Sequence, residues 1–466
     1  MPKVAIIGGG ISALAAAHRL ADRPDLEVTI FESSSQFGGK LQTQPFGNLS
    51  LDTGPDSFLA RRPEAIRLCE ELGIDNELVS PNHAGAYVWS RGRLRALPAG
   101  LMLGVPTDFI AVAKSGILSF AGLLRALVEP LLPGKALTGD LSLGAVVRKR
   151  LGNEVLERLV DPLVGGINAG NTDHLSIRAV APQLSELAER HRSLILGSRG
   201  HRPPKPDPNK PGPAIFLAFP TGISRLVEVL IESLTKAGVK LQESTQVEAV
   251  TLLDSGAGFE VRTNQGTQIA DWVIVATPAP TTAQLVKSIA PAVSEFFASI
   301  EYASVALVAL SFAREDFPAS LEGSGFLVPR NEGFLTTACS WSSGKWAHIN
   351  SQAPDRVIFR VSVGRVDDKR WMELDNETLV EKILEELVQL MGLVEKPIDV
   401  RVSRWPDALP QFAPGHFERL NSLQSKLHND LPGLVLAGAA LGGVGIPACI
   451  QSGNAAAAHL LVLESS

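Results

Sequence analysis

The sequence predicts an α/β chain. Strand–glycine–helix patterns stand at both of its ends, with a mixed α+β middle and a helical region inserted between. Three observations carry this. The apolar run Lys3-Val4-Ala5-Ile6-Ile7 passes through glycines into a helix-like stretch at the N-terminal end. A second strand–glycine–helix pattern fills 433–458 near the other end. Between them, 98–198 is helical and unusually apolar, whereas 302–365 alternates in strand fashion.

The first turn is Gly8-Gly9-Gly10-Ile11-Ser12-Ala13. Gly8 allows the tight bend, and Gly10 lets the backbone approach a pyrophosphate at the positive end of the helix that follows. Ala13 stands at the third glycine position, where only close helix–strand packing is asked. The next strand, Val28-Thr29-Ile30-Phe31, ends in Glu32. An acid about twenty residues past the glycines can hydrogen-bond a ribose hydroxyl. Strand, glycines, helix, strand and acid in that order predict a Rossmann-like dinucleotide site. Gln36-Phe37-Gly38-Gly39-Lys40 then suits a second approach to the phosphates, with Lys40 as a point charge.

Residues 81–97 read as a hairpin turning at Ser90-Arg91-Gly92. Within 98–198, Gly116 to Leu124 is the longest hydrophobic stretch, too short to span a bilayer. Two readings stand: helices packed on one another or lining an apolar pocket, and weak peripheral membrane contact. The run 199–213, with Pro203, Pro204, Pro206, Pro208, Pro211 and Pro213, reads as a mobile loop. A helix to about Ala237 follows, then strands near 239–241, 246–250, 259–263 and 270–278. Glu377 to Met391 repeats apolar positions at helical spacing.

At the far end, Gly433-Leu434-Val435-Leu436-Ala437-Gly438 is a buried-type strand. It leads through Gly442-Gly443-Val444-Gly445-Ile446-Pro447 into a helical pattern. A glycine loop opening another helix N-terminus suits negative charge. Residues 431–463 carry no Asp, Glu, Lys or Arg, but Pro432, Pro447 and the repeated glycines argue against a membrane span.

Composition is that of a globular enzyme of two or three domains: 466 residues, 45% apolar, 20% charged. A net charge of −6 gives no reason to expect nucleic acid. Cys69, Cys339 and Cys449 lie far apart, so neither a disulfide framework nor a zinc site is implied, and no metal is expected. The first strand begins by Lys3, leaving no room for a signal peptide, and a cytoplasmic location is expected.

The N-terminal motifs and Gly-Gly-Lys resemble the flavin amine-oxidase superfamily. Trp405-Pro406-Asp407-Ala408-Leu409-Pro410-Gln411-Phe412-Ala413-Pro414-Gly415-His416 is similar to a segment of the oxygen-dependent porphyrinogen oxidases of haem synthesis. Gly54-Pro55-Asp56-Ser57-Phe58-Leu59, Gly443-Val444-Gly445-Ile446-Pro447 and Val164-Gly165-Gly166-Ile167-Asn168-Ala169-Gly170 resemble loops of the soluble Gram-positive branch. The resemblance runs end to end. It implies a discontinuous FAD-binding domain (1–80, 214–276 and 402–466), a helical domain (98–198), a Pro-rich loop (199–213) and a mixed-sheet substrate domain (81–97 and 277–401). Non-covalent FAD would be held at Gly8, Gly9, Gly10, Ile11, Ser12, Ala13, Glu32, Ser33, Gly39 and Lys40. Further contacts would come from Gly54, Pro55, Asp56, Ser57, Val247 (at the adenine), Trp405, Gly438, Gly443, Val444, Gly445 and Ile446.

In that branch the reaction is six-electron oxidation of coproporphyrinogen III to coproporphyrin III, with O2 reduced to H2O2; protoporphyrinogen IX is the alternative. The flavin carries the redox chemistry, so no acid–base or nucleophilic side chain is required. A flat apolar macrocycle edged with carboxylates calls for an apolar slot with cations at its mouth. The resemblance puts Arg62 on a propionate and the Gly165-Gly166-Ile167 backbone beneath the ring. Arg61 and Arg62 also read simply as a solvated helix start. Phe326, Leu327 and Trp341 are candidate walls, with core packing as the competing reading. The aromatic pair usual in amine oxidases is missing from Ala439-Ala440-Leu441-Gly442, and a carotenoid desaturase would lack the 405–416 segment. A non-catalytic dinucleotide-binding protein stays open. So do hand-over of product to a ferrochelatase and the oligomeric state.

Overall fold

The computed structural model describes residues 1–83, 85–132, 136–198, 214–254, 257–317 and 322–464. The Pro-rich segment 199–213 lies outside them. Five parallel strands form the first sheet, in the order Lys240–Gln242, Glu27–Phe31, Lys3–Ile7, Trp272–Val275, Leu434–Leu436. Apart from the edge strand Lys240–Gln242, their largely apolar, buried runs are those of a sheet covered on both faces. Val4, Ile6, Ile30 and Ile274 pack into one core with the helices Ile11–Ala21, Ser224–Lys236 and Ile446–Glu464. Ala5, Ile7, Val273 and Val275 face the opposite core, shared with a three-stranded sheet and the helices Ala279–Val286 and Pro291–Ala298.

The Ile11–Ala21 helix is lined with small residues, Ala13, Ala15, Ala16 and Ala17, all fully buried. This lets the Ile446–Glu464 helix approach so closely that a Cβ on Gly453 would overlap the Ser12 carbonyl. Among the described residues, one segment is long and apolar enough to cross a membrane, Ile446–Leu463, and half of it is buried inside this packing. The absence of charge over 431–463 therefore reflects the strand–loop–helix that the sequence implies.

The second large sheet has seven mixed strands, in the order Asp399–Pro410, Tyr302–Ala313, Arg356–Val363, Thr336–Trp341, Gly325–Leu327, Tyr87–Ser90, Arg93–Ala96. Its outer pair is the expected hairpin, turning at Arg91 and Gly92, both with positive φ. The strand Asp399–Pro410 runs unbroken across the boundary expected at 402, because it pairs with Tyr302–Ala313 from Asp399 to Pro410. A register shift interrupts that ladder between Ala303 and Val305, and opposite it Asp407 adopts a left-handed backbone, φ 44°.

The 98–198 region departs from the expectation in three ways. It opens with a short antiparallel pair, Leu101–Met102 and Val105–Pro106. The apolar stretch at 116–124 is not one helix: Gly116, at φ 67°, ends the helix Phe109–Ser115, and the Ser119 hydroxyl caps the next, Phe120–Leu127. Finally, Gly165 to Ile167 is not a loop. Leu156–Gly165 is π-helical, running straight into a single α-turn, Gly166–Asn168. Pro162, inside it, has no N–H to donate, and a widened turn accommodates that loss.

Candidate active site

Three glycine loops meet above the five-stranded sheet. Gly8 has φ 104°, and a Cβ there would press on the Ala276 carbonyl at 3.0 Å. Gly9 donates its N–H to Glu32 Oε2 at 2.6 Å, and Ser34 N–H donates to Oε1 at 2.7 Å, so Glu32 is drawn back over the first loop. The Ser33 hydroxyl reaches the same carboxylate at 3.3 Å. Gly10 faces open space, and the helix it begins has no side-chain cap and no acid in its first turn. The backbone N–H groups there are suited to an anion. The Ile11 and Ala13 side chains are themselves buried, so they contribute backbone only.

Gly38 N–H donates to the Gly9 carbonyl at 2.8 Å, joining the Gly38-Gly39-Lys40 loop to the first one. A Cβ on Gly39 would stand 3.3 Å from Gly10 Cα. Burial lowers the Lys40 pKa, and among the described residues no acid pairs with its ammonium. The third loop brings Gly438 and Gly443, at φ 122° and 121°, to the start of the Ile446–Glu464 helix, again with no acid in its first turn. The two helix N-termini converge at Cys449, whose thiol donates to the Gly443 carbonyl at 3.7 Å. Burial raises the pKa of that thiol, while Ser12, Lys40 and Arg62 oppose the rise. Two helix starts without an acid in their first turn, an open glycine and a half-buried lysine fit a dinucleotide diphosphate. Val247 begins the strand Val247–Leu252, and nearby Thr245 N–H donates to the Glu32 carbonyl at 2.8 Å, which brings that strand's start close to Glu32.

The Thr53–Ser57 loop is gripped from the second sheet. Trp405 Nε1–H donates to the Thr53 carbonyl at 2.7 Å, and Arg360 to the Gly54 carbonyl at 2.5 Å. Gly54 is compulsory here, since a Cβ would overlap the Lys40 carbonyl. Asp56 receives Lys345 at 3.0 Å, Arg360 at 3.1 Å and Trp346 Nε1–H at 3.1 Å. Burial alone would raise its pKa, but the two cations outweigh it and hold the carboxyl far below the ordinary range. The Asp56 side chain is thus committed to the protein, and any cofactor contact from this position is through backbone. Neighbouring Asp52 behaves oppositely: burial pushes its pKa up to about 6, against hydrogen bonds from Thr43 and Ile223 N–H.

Arg62 is half-buried rather than freely solvated. It donates to Gln451 Oε1 at 2.7 Å and lies 3.5 Å from Glu64. Gly165 is buried, whereas Gly166 and Ile167 face outward, Ile167 at 62% exposure. The carbonyls of this segment are partly engaged by its own turn: Gly165 accepts from Gly170 N–H at 2.9 Å and Gly166 from Ala169 N–H at 3.4 Å. Phe326 is corrected. It is 2% exposed, edge-on to Trp341 at 6.2 Å, inside the core of the seven-stranded sheet. Strand alternation turns Leu327 to the other face, where it packs against the helical region. Phe326 and Trp341 are therefore core residues, and Leu327 alone stays a candidate wall.

The sequence reading missed Lys345, Trp346 and Arg360. A lone arginine in the apolar strand run Val357-Ile358-Phe359-Arg360-Val361 was the available signal, since a buried cation demands a partner. Among the described residues no group of three or more His, Cys, Asp or Glu is arranged to hold a metal.

Residues 11–461 match the family of flavin-containing amine oxidoreductases. The coproporphyrinogen III oxidase of Bacillus subtilis (strain 168) is 35% identical over 98% of this chain and 97% of its own. That of Staphylococcus aureus (strain NCTC 8325 / PS 47) is 31% identical over 98% of both chains. A solved chain from Exiguobacterium sp. 255-15, provisionally described as a protoporphyrinogen oxidase, superimposes with a TM-score of 0.87 at 31% identity, covering 99% of both. Wild-type putrescine oxidase, at 16% identity and a TM-score of 0.69, shares the fold. The chain belongs to the flavin-containing amine oxidoreductase family, within the porphyrinogen oxidases that these relatives form.

Proposed function

We propose that the protein oxidises coproporphyrinogen III to coproporphyrin III, removing six electrons and releasing three H2O2 from three O2. End-to-end identity with relatives named for that substrate carries the reading. When bound, FAD would supply the hydride acceptor, with O2 as the final oxidant. The chain's own residues bind and orient. Backbone N–H groups of Ile11 to Ala13 and Gly443 to Ile446 face the negative parts of the cofactor, with Lys40 neutralising charge. Glu32, with Ser33 beside it, would take a ribose hydroxyl, and Val247 would serve the adenine end. Trp405 and the Thr53–Ser57 backbone fix the ring end. Gly166, Ile167 and Leu327 offer apolar surface to the macrocycle, and Arg62 a cation to one propionate.

The deciding experiment is turnover of purified enzyme with coproporphyrinogen III and protoporphyrinogen IX side by side, followed by porphyrin fluorescence. Faster turnover of protoporphyrinogen IX would reverse the substrate assignment; no turnover of either would remove it. FAD is held non-covalently, so acid precipitation should leave a colourless pellet and a yellow supernatant. Colour retained in the pellet would refute this.

We assign the protein to the cytoplasm, with weak membrane contact through the helical region. Phe120, Leu124, Leu127 and Leu131 recur at helical spacing and are 77%, 46%, 45% and 83% exposed. An open stripe of that kind suits a lipid surface better than a helix packed on both sides. Co-sedimentation with phosphatidylglycerol vesicles, lost in Phe120→Ser/Leu131→Ser, tests it.

A further inference from the structure

The segment 405–416 touches three parts of the site, each through a side chain bonded to a backbone carbonyl. Trp405 Nε1–H reaches Thr53 O at 2.7 Å, Gln411 Nε2–H reaches Asn168 O at 3.0 Å, and His416 Nε2 reaches Ala440 O at 2.8 Å. The first and last hold loops of the cofactor cradle. The middle one holds the turn that presents Gly166 and Ile167.

That turn needs holding. Ala169 sits at φ 46°, a left-handed conformation that a residue with a Cβ adopts only when its surroundings impose it. The turn follows a π-helical stretch whose ladder is already interrupted at Pro162. Gln411 grips it from one side. Its amide donates to Asn168 O and, at 3.1 Å, to Leu409 O, and these two carbonyls fix which end of the amide is nitrogen. Among the described residues its Oε1 is buried without a hydrogen-bond partner, and it abuts Gly170, where an added Cβ would overlap it. Arg330 grips from the other side, donating to Gly170 O at 2.6 Å while paired with Asp367. Asp161, within the π-helical stretch, lies 3.6 Å from Arg330 and accepts the Thr172 hydroxyl at 2.8 Å. Residues 165–172 are thereby clamped between the seven-stranded sheet and the helical region.

We propose that Gln411 and Arg330 are positioning residues for the porphyrinogen: they set the height and tilt of the Gly166–Ile167 surface against the cofactor cradle. This rests on the reading that Gly166 and Ile167 border the substrate. Neither side chain need touch the macrocycle. Their removal should loosen the turn and weaken substrate binding, while Trp405 and His416 keep the cradle in place.

The test uses the flavin-loaded enzyme and four variants. Gln411→Leu should raise KM for coproporphyrinogen III about tenfold, as expected for one lost buried hydrogen-bond donor, with flavin content and visible spectrum unchanged. In Gln411→Glu the introduced carboxylate faces two carbonyls at neutral pH but regains a donor when protonated. Its KM should therefore fall toward wild type as the pH is lowered, relative to Gln411→Leu at each pH. Arg330→Met, which frees the opposite side of the turn, should raise KM in the same way, and it serves if Gln411 variants do not accumulate. Unchanged KM in these variants overturns the proposal, as does loss of flavin in step with loss of turnover, which would mark a merely structural role. Ile167→Ser separates the two levels. A silent Ile167→Ser shows that the turn does not border the substrate. A sensitive Ile167→Ser with silent Gln411 and Arg330 variants sinks the clamp alone.

Discussion

At the scale of single residues, Glu32 and Arg62 are the sharpest probes of the two halves of the site. Glu32 already accepts two backbone N–H groups, from Gly9 and Ser34, so its carboxylate is oriented before any ligand arrives. Glu32→Ala removes that anchor and, on the proposed assignment, one charge-assisted bond to the ribose. FAD binding should weaken by about 1.5–3 kcal/mol, read as flavin lost on dilution. Unchanged occupancy would place the side chain off the ribose. Arg62→Ala should raise KM for the porphyrinogen by the equivalent of about 1–3 kcal/mol and leave the flavin spectrum intact. Arg61, exposed at the same helix start, is the control and should be nearly silent. Sensitivity of Arg61 in place of Arg62 would show that the propionate contact is one residue off.

At the scale of elements, what the sequence revealed depended on how local the cause was. The strand, glycines and acid from Lys3 to Glu32 could be read directly, because each residue answers to its immediate neighbours and to one ligand. The hairpin at Arg91-Gly92 and the uncharged C-terminal strand–loop–helix were legible for the same reason. The π-helical stretch was not, since Pro162 alone suggests a break and only the packed surroundings of Leu156 to Gly165 decide how the chain passes it. Phe326 looked like a slot wall because composition cannot say which face of a strand is covered. Asp52 was equally silent in the sequence. It closes the strand Leu49–Asp52 and accepts Ile223 N–H at 2.8 Å, just before the helix Ser224–Lys236. Its folded-state pKa is raised by burial to about 6, above the ordinary 3.8, so the native state favours the protonated form. The cost is absent below about pH 4 and grows as the pH climbs through 6. Asp52→Asn, which keeps an acceptor oxygen, should therefore stabilise the protein at pH 8 by at most about 3 kcal/mol. The gain should vanish near pH 4, as thermal denaturation at the two pH values would register. An equal shift at both would rule out a titrating origin.

At the scale of the whole molecule, the two large sheets are joined at Asp56. One carboxylate from the cradle side receives Lys345, Trp346 and Arg360 from the other. Asp56→Asn leaves two cations facing a neutral group, and removing one partner from such a buried cluster costs about 3–5 kcal/mol. The variant should melt earlier and release flavin more readily, although Asp56 offers the cofactor no side-chain contact. A melting temperature unchanged from wild type would mean that the cluster is solvated and weak. The topology has one more consequence. The first strand to be synthesised lies in the middle of the five-stranded sheet, and the last, Leu434–Leu436, closes its edge beside Trp272–Val275. The Ile446–Glu464 helix then covers the small-residue flank of Ile11–Ala21. During translation the N-terminal glycine loop therefore emerges hundreds of residues ahead of the strand and helix that pack beside it. Folding governed by such distant pairings is slow, because the sheet closes only once sequence-remote strands have met.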